Sequence, residues 1–344
     1  MNISIVNPAE TSRWDDAIKE FPESTFFHTS AWARLILDTY NYSPLYLIAS
    51  DNGHNSGCMP LMEIRSIITG TRAVSLPFSD FCQPLVQDEK LFDAFLDYVT
   101  GIGRKKSWKY IELKGIGKLN VPEDISLFDY HHSLELTDDI GTLFSRFSSN
   151  TRRNIKKAEK ENLQVEAGDT INLLNEFYKL NCITRKRHGL PPQPYKFFRN
   201  FYNYILAEKL GTVINVKYEN KVIASAVYLF YKDKVIYKFG ASDMNYQNLR
   251  ANNLVMWKAI CWSAEKGFKK FSFGKTEAEN EGLRRFKLGW NTSEEILYSY
   301  RIEPVSKKFI PVISRTSGSH TKLFSRMPVF ISKILGKLAY RHIG

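Results

Sequence analysis

The stretch from Lys221 to Trp290 sets the strongest limit on how this chain folds. Two β-branched and aromatic runs, Lys221–Tyr231 and Lys234–Ser242, flank the short polar break Lys232-Asp233, which is the pattern of a hairpin. A helical pattern runs from Leu249 to Lys266, and Gly267 stands where a helix C-terminus favours glycine. A short strand, Lys270–Phe273, follows. After it come a polar, glycine-punctuated loop from Gly274 to Gly282 and then Leu283–Trp290. The order is hairpin, helix, strand, basic loop. A loop leaving a strand end with Lys275, Arg284, Arg285 and Lys287 is expected to hold an anionic ligand.

The rest of the chain, 344 residues in all, leaves room for a second domain of ordinary size. Its pattern predicts a strand at Ile3–Val6, helices at Thr11–Glu20 and from Ala31, and strands at Leu45–Ala49 and Gly57–Ile64 around an Asn52-Gly53 turn. Thr29 or Ser30 is expected to cap the Ala31 helix, since a hydroxyl accepts from the free amides of a first turn. A helix at Glu89–Arg104 and a strand at Lys109–Leu113 complete the first domain, βααβββαβ. A second domain starts near His131. It continues with a helix at Asp139–Phe147, a basic helix capped by Ser149 or Asn150, a strand at Leu163–Glu166, and helices at Thr170–Lys186 and Pro194–Glu208. The expected organisation is α/β (α+β): residues 1–130, residues 131–305 and a basic amphipathic tail, 306–344. Each of the two domains is a mixed, mostly antiparallel sheet flanked by helices.

Four cysteines without CxxC spacing and seven histidines without ligand spacing give no disulfide framework and no metal site. The start, Met1-Asn-Ile-Ser-Ile-Val, lacks a signal-peptide core, and no run approaches the roughly 20 apolar residues a spanning helix needs. The expectation is a cytoplasmic chain. The net charge is +12, and the eight Lys and Arg beyond Pro304, unaccompanied by any acid, account for eight of those charges. Such a tail fits a polyanionic surface, RNA or membrane. Within it Phe330, Ile331, Ile334, Leu335 and Leu338 recur at helical spacing, with Lys333, Lys337 and Arg341 off the stripe. That pattern suits either an anionic membrane interface or packing on the body.

Four segments carry a resemblance: YKFGAS at Tyr237–Ser242, ANNL at Ala251–Leu254, Phe273-Gly274, and GLRRFKLG at Gly282–Gly289. They resemble the catalytic half of the Fem-type aminoacyltransferases, tandems of two GNAT (Gcn5-related N-acetyltransferase) domains. TRRNIKKAEK at Thr151–Lys160 resembles a basic segment of the same family. The resemblance implies amide formation on a peptidoglycan or polysaccharide precursor, with aminoacyl-tRNA as donor and no bound cofactor. It assigns Lys287 to the oxyanion of the tetrahedral intermediate, with Phe286 packed beside it and Tyr237 bonding the acceptor. Asp80, Arg34 and Arg187 (in preference to Arg185) would line the acceptor site. Arg152, Arg153, Asn154, Lys156 and Lys157 would grip phosphates of tRNA or of the acceptor. The bland readings are a solvated Arg34, a Ser79-Asp80 turn and an exposed basic helix.

An amine attacking an ester or thioester needs a positioned carbonyl and a stabilised oxyanion, not a protein nucleophile. The sequence offers no such nucleophile, and the general base is unassigned. Coenzyme A-dependent relatives cradle pyrophosphate on a glycine-rich turn; here Gln247–Asn253 has no glycine. An acyl-CoA donor is therefore the alternative, and a non-catalytic RNA- or membrane-binding tandem is the third reading.

Overall fold

The computed structural model describes residues 2–51, 54–122, 125–312 and 324–344. The Asn52-Gly53 turn and the tail cations Arg315 and Lys322 lie outside the described residues. The chain divides into two compact units. One comprises Met1–Asp129, Ile296–Thr316 and Leu338–Gly344, the other Tyr130–Glu295 and Ser317–Lys337. Residues 296–305 thus group with the first unit. The segment expected as a separate tail is divided between the two.

The first unit starts with β1 (Asn2–Val6), α1 (Trp14–Lys19) and α2 (Ser30–Tyr40), followed by β2 (Ser43–Pro44), β3 (Tyr46–Asp51), β4 (His54–Met59) and β5 (Met62–Ile64). It continues with β6 (Arg72–Val74), β7 (Leu85–Val86), α3 (Glu89–Lys105) and β8 (Ile111–Ile116). Thr29 caps α2 by accepting from the Trp32 amide. The strand expected over Gly57–Ile64 is two strands, β4 and β5. Pro60, which has no N–H to give a ladder, sits at the break. The β1-β3-β4-β7 sheet is antiparallel throughout. In the other sheet β6 and β8 run parallel, and β8 pairs antiparallel with Tyr298–Ile302. Alternation along these strands buries Leu47, Met59, Ile111 and Leu113 against Phe95 and Val99 of α3, with Leu45 between β2 and β3 in the same core.

The second unit contains β9 (Leu127–Glu135), α4 (Ile140–Arg146), α5 (Ser149–Lys160), β10 (Gln164–Gly168), α6 (Ile171–Arg187) and α7 (Tyr195–Phe201). Next come β11 (Gly211–Tyr218), β12 (Lys221–Tyr231), β13 (Lys234–Ser242), α8 (Ala251–Glu265), β14 (Lys270–Glu277), α9 (Glu281–Leu288) and the start of β15 (Ser293–Ile302). From Ile296 onward β15 belongs to the first unit, as does β16 (Phe309–Ile310), and α10 (Val329–Ile343) is divided at Leu338. The strands β10 to β13 form an antiparallel meander, and β14 returns parallel to β13 after the α8 crossover. α8 is apolar nearly all round, so it is buried; Leu254, Val255, Met256, Ala259 and Ile260 meet the sheet and Ile155 and Ala158 of α5.

α10 packs differently from the expected stripe. Ser332, Gly336, Tyr340 and His342 are its buried positions, whereas Phe330, Ile334 and Leu338 are 65%, 56% and 57% exposed. Tyr42 donates to the Tyr340 carbonyl at 2.6 Å. Arg72, fully buried, donates to His342 O and Gly344 O at 2.9 and 2.8 Å. Polar contacts therefore choose the inward face, because a buried guanidinium needs those carbonyls. Among the described residues no helix is long and apolar enough to cross a membrane.

Candidate active site

β13 and β14 pair at only three positions, Lys234 with Lys270, Val235 with Phe271 and Ile236 with Ser272, and then part. Each strand carries a cause. On β14, Gly274 takes φ +67°, a left-handed conformation that suits glycine and turns the strand. On β13 the register against β12 slips, Val227 facing Phe239 but Tyr228 facing Tyr237, so Lys238 is the extra residue of a bulge. The fork opens at Tyr237 and Phe273.

Tyr237 lies over Gly240: a side-chain carbon at position 240 would sit 1.7 Å from its hydroxyl oxygen. Burial pushes the Tyr237 hydroxyl up to about 12, so it stays a donor at neutral pH. On the other arm Lys287, 2% exposed, donates from Nζ to Gly274 O at 3.0 Å and Lys275 O at 2.9 Å. A buried ammonium thus ties down the strand just past its turn.

The expected basic loop is largely absent. β14 runs on to Glu277, and Asn280 caps α9 by accepting from the Leu283 amide. Successive residues on a helix step by about 100°, so its cations diverge. Lys287 turns into the core. Arg284 forks onto Glu294 at 2.7 and 2.6 Å and lies 3.9 Å from the Tyr130 ring centre. Arg285 is exposed and pairs with Glu281 one turn back. Lys275 is exposed on β14. These four cations do not form one anion cradle. A histidine without a sequence motif completes the group: His132 Nε2 donates to the Glu294 carboxylate at 2.9 Å, and burial, then the nearby Lys287 charge, lowers its pKa.

A cavity of about 190 Å³ lies at the end of β13, lined by Ser242, Asp243, Tyr246, Arg250, Asn252 and Phe286 among others. Arg250 (φ +58°) is the N-cap of α8 and supplies no side-chain cap, so the first-turn amides border this space. Thr184 and Arg187 of α6 both donate to Ser242 O, at 3.1 and 3.2 Å, which fixes the rim. Burial holds the Arg187 guanidinium below its ordinary value. Asp243 is held ionised by a 2.8 Å hydrogen bond from Lys221. Asp243 carries no motif of its own; the turn from β13 into α8 gives it a shared wall with Asn252 of the ANNL segment.

A second, larger cavity, about 530 Å³, is lined by Ser149, Arg152, Arg153, Lys156, Lys157 and Lys160. The cap of α5 is Ser148, one residue before the expected pair, accepting from the Thr151 amide. Thr151, Ile155 and Ala158 face inward, which turns the cations to one open side. Among the described residues none of those five cations meets a carboxylate. Asn154 is half-buried and is not on the cavity wall. In the first unit, Arg34 spends its guanidinium on Ala9 O at 3.1 and 2.9 Å, a local loop tie, and Asp80 is half-buried past the Leu76–Ser79 turn.

Residues 145–289 match the family described as the acetyltransferase (GNAT) domain. Over 149 residues, 43% of this chain, the sequence is 24% identical to a UDP-N-acetylmuramoylpentapeptide-lysine N(6)-alanyltransferase of Weissella viridescens, and that match spans 44% of the relative's length. The fold is similar to that in the crystal structure of FemX, with a TM-score of 0.67 at 15% identity, covering 87% of this chain and 97% of that one. A tandem GNAT protein from the clavulanic acid biosynthesis pathway superposes with a TM-score of 0.57 at 8% identity, over 88% and 98% of the two chains. The C-terminal domain of a putative lysylphosphatidylglycerol synthetase from Agrobacterium fabrum gives 0.56 at 12% identity, over 96% and 97%. The two units have the GNAT-like α/β fold. The family match covers the GNAT domain at residues 145–289, and the likeness to FemX and to the tandem GNAT protein is one of fold.

Proposed function

We propose that this Fem-like tandem GNAT chain forms an amide on an amine of a cell-envelope precursor, a peptidoglycan peptide or a polysaccharide, with aminoacyl-tRNA as donor. The observation that carries the reading is the fork between β13 and β14, with Phe286 in the wall of the adjoining cavity and Lys287 buried at the fork's far arm. In the reaction the acceptor nitrogen adds to the ester carbonyl, and the tetrahedral oxyanion collapses with release of the tRNA hydroxyl. The proton lost by the amine ends on that leaving oxygen. The Lys287 charge stabilises the oxyanion, Tyr237 donates to the acceptor, and Arg187 and Asp243 present opposite charges at the rim. For Asp80 and for Arg34, whose guanidinium is tied to Ala9 O, an acceptor role rests on the resemblance alone. The α5 cations hold the phosphates of the donor, and no cofactor is needed. An acyl-CoA donor is the second reading, favoured by the uncapped first turn of α8, where a pyrophosphate would find free amides. The absence of glycine in Gln247–Asn253 favours the tRNA donor. Lipid-linked acceptors lie at the inner face of a membrane, so peripheral attachment there belongs to the same reading.

Charged tRNA and acyl-CoA are to be offered in parallel with a panel of envelope precursors. Charged tRNA should be consumed, and tRNA binding should weaken steeply with salt, as counterion release requires. Converting Arg152, Arg153, Lys156 and Lys157 to Gln should weaken that binding and flatten its salt slope. Consumption of acyl-CoA alone would replace the donor. Salt-insensitive tRNA binding, unchanged in the variant, would return α5 to a solvated face.

A further inference from the structure

The turn from Ser66 to Gly70 presents two adjacent isoleucines to solvent, Ile67 95% exposed and Ile68 71%. Nothing local requires them. The turn is built by its polar atoms: Ser66 Oγ accepts from the Ile68 and Thr69 amides at 3.2 and 2.9 Å, and the Gly70 amide reaches Ser66 O at 2.8 Å. Polar residues at 67 and 68 would satisfy this turn equally well. A side chain 95% exposed projects from the surface as a wedge, unlike the flat apolar patches that pair two proteins.

The same turn is bonded to the end of α10. Ser66 Oγ lies 2.9 Å from His342 Nδ1, and Thr69 donates to His342 O at 3.0 Å. Beside it Leu338 and Ile343 of α10 are 57% and 43% exposed. Cations surround this apolar group. Arg341 is exposed. The Lys109 side chain lies against Gly70. Arg65 shares with Lys106 the buried carboxylate of Glu63. The turn comes from a part of the sequence that shows no amphipathic pattern; only the fold sets it beside the basic tail.

We propose that Ile67, Ile68 and the outer side of the α10 end form a docking surface for an anionic lipid bilayer. The isoleucines enter the acyl boundary, and Arg65, Lys109 and Arg341 face the headgroups. The proposal does not depend on the transferase reading, since vesicles without precursor test it.

The full chain is to be floated with vesicles of phosphatidylglycerol and phosphatidylcholine, and with phosphatidylcholine alone. Binding to the anionic vesicles should weaken with salt. Ile67→Asn/Ile68→Asn should lower it by roughly a hundredfold or more, from the transfer of two side chains. Lys109→Gln/Arg341→Gln should lower it on the order of tenfold or more, each cation contributing about fivefold. Both variants should melt as the wild type does, because the substituted side chains are exposed. Wild-type binding to neither vesicle, or an isoleucine variant that binds as well as wild type, overturns the proposal. So does a lipid-free dimer that the isoleucine variant abolishes, which would assign the surface to a second copy of the chain. Transfer to a soluble acceptor should be unchanged in the isoleucine variant whichever way the vesicle result falls.

Discussion

Replacing Lys287 with Met separates two roles that the structure gives one ammonium. The side chain is 2% exposed and its Nζ meets the Gly274 and Lys275 carbonyls at 3.0 and 2.9 Å. Methionine keeps the length and removes both donors. Each carbonyl left without a partner costs about 1–3 kcal/mol, so the loss of stability is about 2–6 kcal/mol. For a unit of this size that lowers Tm by roughly 4–24 °C. The chemical role is read separately, as kcat measured well below the variant's own melting range. Loss of an oxyanion stabiliser lowers kcat by about a hundredfold to a thousandfold. Lys287→Arg keeps the charge and should recover part of both. A Met variant that melts with the wild type would refute the carbonyl tie. One that turns over at wild-type rate would remove Lys287 from the mechanism and leave it only a structural role.

Two further perturbations probe the same fork. The His132 pKa, followed by NMR, should lie below its ordinary value and rise in Lys287→Met, because burial and then the lysine charge depress it. A depressed folded pKa means His132 contributes stability above its unfolded value near 6.5, lost as pH falls from there through the folded value; a titration unmoved by the substitution would show the two groups uncoupled. Gly240→Ala places a carbon where the Tyr237 hydroxyl lies, so Tyr237 must move. Transfer should fall at least about tenfold with a stability loss of about 1–3 kcal/mol, and a variant normal in rate and melting would take Tyr237 out of the site.

The sequence by itself determined the hairpin, the α8 crossover and the basic helix of the second unit, and the segments that carry the resemblance. Hairpin and helix-crossover signals are local: alternation in Lys221–Tyr231, the polar break at Lys232, and Gly267 after α8 each act within a few residues. The sequence also located the cationic face of α5, since its inward positions Thr151, Ile155 and Ala158 leave one side for Arg and Lys. It did not decide what each charge does. Leu283–Trp290 reads as a basic loop until Asn280 caps it into a helix, and then Arg284, Arg285 and Lys287 point to three environments. Nor could it choose the inner face of α10, where the buried Arg72 draws in the helix end through two carbonyls and leaves Phe330, Ile334 and Leu338 outside. Hydrophobic periodicity reports the average of many weak contacts along one element. A buried charge is satisfied by a few specific oxygens that come from distant parts of the chain, and only the tertiary structure brings those oxygens to it.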